Sequence, residues 1–191
     1  MPRASTRDQI LAAGRDLIHR NGFSASGVAE ITAAAGVPKG SFYNHFESKE
    51  AFALEALDSY WQDGRAAFDL LSGPAPAPER VRAHFKAIDT LVSPDAYAAG
   101  CMLGNFATEA GPLSEPLRRR SAELLARWTA ALAACLSEGQ AARSIATAVP
   151  AETLARFLIA AWQGAVQRAK VERNKRATAA FHQTLAVLLT P

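Results

Sequence analysis

The sequence predicts an all-α protein. Three observations carry that expectation. Apolar residues recur at three- and four-residue steps along most of the chain, as one face of a helix requires. No stretch alternates with the period of two that marks a half-buried strand. The breaks between apolar runs hold residues that stop or start helices: Asn21-Gly22, Gly36, Ser48, Pro78, Ser93-Pro94, Gly111-Pro112, Ser114 and Pro150. With 191 residues and 49% hydrophobic content, the chain can bury a proper core as one large domain or two small ones.

The first helix follows a polar, basic lead-in that carries Arg3. Ser5 and Asp8 have the spacing of a helix-capping pair. Ile10, Leu11, Leu17 and Ile18 form its apolar face, and Asn21-Gly22 ends it. Ser24 and Ser26 offer hydroxyl caps to a second helix with Val28 and Ile31. Gly36 then suits a left-handed helix end, and Pro38 suits the first position of a third, short helix. Ser48 caps a long helix with apolar residues from Phe52 to Leu71. Gly73 to Pro78 reads as an extended linker. A helix from about Pro78 to Leu91 follows, then an apolar segment from Tyr97 to Ala110. Three more helices carry Leu117 to Leu136, Leu154 to Ala169, and Phe181 to Leu189.

Composition narrows function by exclusion. The net charge is only +3, and residues 1–50 hold six Lys or Arg against five Asp or Glu, so no basic tail advertises nucleic acid. Two cysteines do not make a disulfide framework. No signal peptide or membrane span is in view, so the expected compartment is the cytoplasm, with reduced thiols and no membrane partner. No cofactor is expected, and no metal: His84 and His182 lack companions at ligand spacing and read as structural or exposed. Arg118-Arg119-Arg120 points three ways from a helix and reads as solvated surface.

The informative stretch is Thr32 to Phe46. Ile31, Ala35, Val37, Phe42 and Phe46 can close a small core on one side. Lys39, Ser41, Tyr43, Asn44 and His45 are then left as an outward face. A cation, hydroxyls, an amide and an imidazole on a short helix suit phosphate oxygens and base edges in a major groove. The run Ala35-Gly36-Val37-Pro38-Lys39-Gly40-Ser41-Phe42-Tyr43-Asn44-His45-Phe46-x-Ser48-Lys49-Glu50 resembles the DNA-binding signature of the TetR family of transcriptional regulators. Ser26 and Glu30 depart mildly from the Thr and Asp usual there, and both keep the polar chemistry.

The resemblance implies a three-helix helix-turn-helix head over residues 1–47 and a six-helix ligand-binding and dimerisation body over 48–191. It also implies a homodimer formed through the two C-terminal helices, where Ala161, Gly164 and Ala165 allow close approach. Such a dimer matches double-stranded, palindromic operator DNA with half-sites ~34 Å apart. The residues expected to meet DNA are Ser26, Thr32, Lys39, Gly40, Ser41, Tyr43, Asn44, His45 and Lys49. Asn44 is the expected base reader, since an amide can pair bidentately with adenine, and Tyr43 and His45 are expected on phosphates. Ser26 and Lys49 lie near helix N-termini, which also favour phosphate.

In the body, Gly100-Cys101-Met102-Leu103-Gly104-Asn105 and the tail from Trp162 to Glu172 resemble a TetR subgroup. Some members of that subgroup sense electrophiles or oxidants through the cysteine, and others bind small acids or unsaturated compounds. A thiolate is the nucleophile in such chemistry, and a nearby cation raises its population. Lys170 is the expected cation, and a possible covalent partner of an oxidised sulfur. Asn105, Glu109, Trp128, Trp162 and Gln163 are expected to line a pocket, whereas Cys135 falls on an apolar stripe and reads as core.

The expected function is thus a DNA-binding repressor released by a small-molecule inducer or by modification of Cys101. An activator of the same fold, and a regulator in which Cys101 only packs, are the alternatives. An enzyme is remote, because no Walker loop, nucleophile elbow, zinc-protease motif or dinucleotide fingerprint occurs.

Overall fold

The computed structural model describes residues 5–92, 99–109 and 113–191. Arg3, the Ser93-Pro94 cap, Tyr97 and the Gly111-Pro112 break lie outside them. Helices are the regular structure of the described residues, with no strand among them. In chain order they form α1 (Thr6–Asn21), α2 (Val28–Ala34), a 3-10 turn (Lys39–Asn44), α3 (Lys49–Asp63), α4 (Arg65–Asp69) and a second 3-10 turn (Leu70–Ser72). α5 (Ala77–Leu91), α6 (Met102–Glu109), α7 (Glu115–Ala141), α8 (Ala151–Glu172) and α9 (Arg176–Leu188) follow. The chain divides into two compact units, Met1–Gln62 with Cys101–Ala122, and Asp63–Gly100 with Glu123–Pro191.

In the first unit the Ser5 hydroxyl accepts the Asp8 N–H at 3.2 Å and donates to the Asp8 carboxylate at 2.7 Å, closing the cap of α1. Gly22 ends α1 at φ +92, a conformation that favours glycine. The start of α2 differs from expectation. Gly27 occupies the cap position, and its N–H is taken by the Glu30 carboxylate at 2.7 Å. Ser48 caps α3 by accepting the Ala51 N–H at 3.0 Å. The core is Ile10, Ile18, Ile31, Phe42, Phe46, Phe52 and Leu57, each at most 2% exposed. Gly14 lets α1 approach that core: a Cβ there would lie 2.5 Å from Phe52 Cζ and 2.6 Å from Ile31 Cγ2.

The second unit closes around aromatic rings. Phe85 meets Phe181 at 4.9 Å and Trp128 meets Trp162 at 5.5 Å between centroids. His84 is fully buried among them. Its Nδ1–H donates to the Ala67 carbonyl at 2.8 Å, and its Nε2 accepts the Trp128 indole N–H at 2.9 Å. Burial pushes the imidazole down to about 4, against the pull of the Ala67 carbonyl. Asp89 accepts the Trp162 N–H at 2.7 Å and also holds His182, tying α5 to α8 and α9. The single long helix expected from Ser48 to Leu71 is broken. Gly64, a poor helix former with ψ −8, separates α3 from α4.

A candidate DNA-reading turn and the helix beside it

Gly36 leaves α2 at φ +68, and Pro38 enters the next turn with φ −60 and ψ 143. The Ser41 N–H bonds the Pro38 carbonyl at 2.9 Å, and the His45 N–H bonds the Phe42 carbonyl at 3.0 Å. These three-residue steps make Lys39–Asn44 a 3-10 helix rather than an α-helix, as suits so short a piece. Phe42 is fully buried, with its ring 5.3 Å from Phe46 and 5.5 Å from Phe52. That anchor turns its neighbours outward. Lys39, Gly40, Asn44 and His45 are exposed, Ser41 is half-buried, and Tyr43 is 61% exposed. An added Cβ at Gly40 would meet nothing within 4 Å, so the turn presents open space there.

Three expected DNA contacts look different. Ser26 is wholly buried and donates its hydroxyl to the Gly22 carbonyl at 2.7 Å. Thr32 is 1% exposed and donates to the Val28 and Ala29 carbonyls at 3.0 and 3.1 Å. Both hydroxyls are thus committed to backbone carbonyls of their own segment. Lys49 is half-buried, with Nζ 4.4 Å from the centroid of the Phe23 ring. Burial lowers its pKa, and Glu109 and Glu30 oppose that shift.

Cys101 is 4% exposed and immediately precedes α6. Its sulfur shares a hydrogen bond with the Tyr60 hydroxyl, which also accepts the Met102 N–H. Burial first, and Cys101 second, push the Tyr60 ionisation well above the ordinary tyrosine range. Tyr60 carried no signal of this role in sequence, because it lies on the apolar run of α3. Lys170 donates to the Ala99 carbonyl at 3.4 Å. Trp128 and Trp162 are buried with both indole N–H groups bonded, so a ligand reaching either must displace His84 or Asp89. Cys135 is 1% exposed, and burial raises its pKa, in line with a core thiol. Asn105 and Glu109 both bond backbone groups near the start of the chain. Asn105 donates to the His19 carbonyl at 3.4 Å, and Glu109 accepts the Phe23 and Ser24 N–H groups at 3.0 and 2.6 Å. Their polar ends bond backbone groups at the end of α1 and in the loop after it.

Between α8 and α9 runs an apolar trough lined by Phe157, Ala161, Ala165, Ala177, Ala180 and Phe181. Phe157 is 55% exposed beside it, and a Cβ on Gly164 would meet nothing within 4 Å.

The first of these elements decides the kinship. Residues 10–56 match the model of the bacterial regulatory proteins of the tetR family, and residues 77–185 match the tetracyclin repressor-like C-terminal domain. The chain belongs to the TetR family. It is 37% identical to the HTH-type transcriptional repressor DhaR of Mycobacterium sp. strain GP1, over 100% of this chain and 96% of DhaR. The reduced form of Escherichia coli NemR superposes with a TM-score of 0.85 at 30% identity, covering 97% of this chain and 98% of that one. The regulatory protein TetR from Rhodobacter sphaeroides superposes with a TM-score of 0.90 at 28% identity, covering 98% and 100%. These TetR-family relatives are transcriptional regulators and not enzymes, and the fold is theirs. No helix among the described residues is long and apolar enough to cross a membrane.

Proposed function

We propose that this TetR-family regulator is a cytoplasmic homodimeric repressor that reads a palindromic operator through Lys39–Asn44. The observation that carries this reading is the outward set on one anchored turn. Phe42 fixes the turn to the core, and Lys39, Ser41, Tyr43, Asn44 and His45 stand on the other side. Tyr43 and His45 suit phosphates, which set register. Asn44 suits adenine, which sets sequence. The apolar trough between α8 and α9, lined by the exposed Phe157 together with Ala161 and Ala165, supports dimerisation through those helices. DhaR and NemR, both named as repressors, support the sign.

Release follows from an inducer or from chemistry at Cys101. The Tyr60 O–H beside the sulfur can stabilise a thiolate by hydrogen bonding, a role the sequence reading gave to Lys170. Adduct formation at so buried a sulfur must displace Tyr60, which gives the two states different geometries. An effector shifts the equilibrium only if it favours one of them. The test is an anisotropy titration of operator DNA flanking the gene, with and without acrolein, on wild type and Cys101→Ser. Release of wild type alone supports the thiol reading. Release of neither leaves a non-covalent inducer as the effector, and release of both places the reacting nucleophile somewhere other than Cys101.

A further inference from the structure

Cys101, Asn105 and Glu109 are spaced four residues apart and so lie on one face of α6. The Asn105 N–H bonds the Cys101 carbonyl at 2.9 Å, so the helical register begins at the cysteine itself. Each of the three meets a different part of the first sixty residues. At the Cys101 end, Tyr60 takes the sulfur, and its ring packs edge-on against His19 at 5.1 Å. In the middle, Asn105 donates to the His19 carbonyl, one of the last carbonyls of α1. At the far end, the Glu109 carboxylate takes two successive backbone N–H groups, those of Phe23 and Ser24.

The loop so held is short and fully committed. Gly22 has φ +92, and a Cβ there would fall 2.4 Å from Glu109 Oε2, so the carboxylate is seated where a side chain would otherwise be. Ser26 closes the loop onto the Gly22 carbonyl. Phe23 lies beneath the Lys49 ammonium and 6.3 Å from the Phe106 ring of α6. This loop joins α1 to α2, and α2 leads through Gly36 into the turn Lys39–Asn44.

We propose that Glu109 is the positioning residue through which α6 sets the geometry of the DNA-reading turn, with Asn105 as its second point of attachment. The proposal rests on the reading of Lys39–Asn44 as the turn that meets DNA. A displacement of α6, whether from Cys101 or from a ligand, withdraws the acceptor from two loop N–H groups at once. The α1–α2 junction then loses the restraint that holds the turn in its present orientation.

The test uses the full-length protein in three forms: wild type, the isosteric Glu109→Gln, and Glu109→Ala. Two quantities are read, operator affinity by anisotropy and amide exchange at Phe23 and Ser24 by NMR. Glutamine offers one neutral acceptor in place of two charged ones. Operator affinity is therefore expected to fall by about tenfold in Glu109→Gln and further in Glu109→Ala. Phe23 and Ser24 exchange should accelerate by about tenfold or more, while Ile10 and Ile31 keep their protection. In Glu109→Ala the residual binding should no longer respond to acrolein, because the link from α6 is cut. Faster exchange with operator affinity within twofold of wild type overturns the proposal and reduces Glu109 to a loop support. Unchanged exchange overturns it too. If wild type itself ignores acrolein, the thiol reading fails, and the affinity and exchange measurements still decide Glu109. If no form binds the operator, the DNA-reading assignment has failed instead.

Discussion

Acidification should destabilise this protein through His84. The imidazole is neutral in the fold because both nitrogens are committed: Nδ1–H donates to Ala67 and Nε2 accepts from Trp128. Protonating Nε2 would face one donor with another in a buried site. Burial therefore holds the group at about 4, whereas an ordinary histidine in the unfolded chain titrates near ~6.5. Between those values the unfolded chain binds a proton that the fold refuses, so stability rises with pH. The contribution is complete above the unfolded value and is lost as pH falls toward the folded one. By linkage the loss is about 2 kcal/mol at pH ~5 and on the order of 3 kcal/mol at pH ~4. The assay is urea unfolding from pH ~8 to ~5 at fixed protein concentration, on wild type and His84→Gln. A glutamine amide can still donate to Ala67 and accept from Trp128, and it does not titrate. Wild type should lose about 2 kcal/mol more than the variant over that range. Parallel pH curves for the two proteins would refute the argument.

Gly14→Ala drives a methyl into Phe52 and Ile31 and should cost about 1–3 kcal/mol, read as a lower urea midpoint. Tyr43→Phe should weaken binding of all operator sequences alike. Asn44→Ala should instead relax preference at one position of each half-site, and a uniform loss in that variant would remove Asn44 as a base reader. Phe157→Asp places a charge at the edge of the α8–α9 trough, and sedimentation should show dimer giving way to monomer. An unchanged dimer would put the interface elsewhere.

Much of the fold was legible in the sequence because its signals are local. Helix starts at Ser5, Ser48 and Pro150 depend on one side chain and the next few residues, and they fall within a residue or two of the observed starts. The inward setting of Phe42 and Phe46 follows from spacing along a short turn. The break at Gly64 was also local, but a lone glycine in a long apolar run is a weak signal.

Hydroxyls and carboxylates were harder to assign, because sequence lists their chemistry without saying which way they face. Ser26 and Thr32 read as outward caps and contacts, yet both turn in to backbone carbonyls. Asn105 and Glu109 read as pocket groups, yet they meet atoms 86 residues away in the chain at His19 and Phe23. Tyr60 looked like one more apolar position until α3 brought its hydroxyl to Cys101. His84 had no companion in sequence, and its neutral state comes from Ala67 and Trp128, 17 and 44 residues away. By itself the sequence determined helix order, the anchored turn and the family, because periodicity, caps and a contiguous motif are short-range properties. Tertiary structure alone decided the partners of the polar groups, because a hydrogen bond depends on position in space, which residues distant in the chain acquire only when the helices pack.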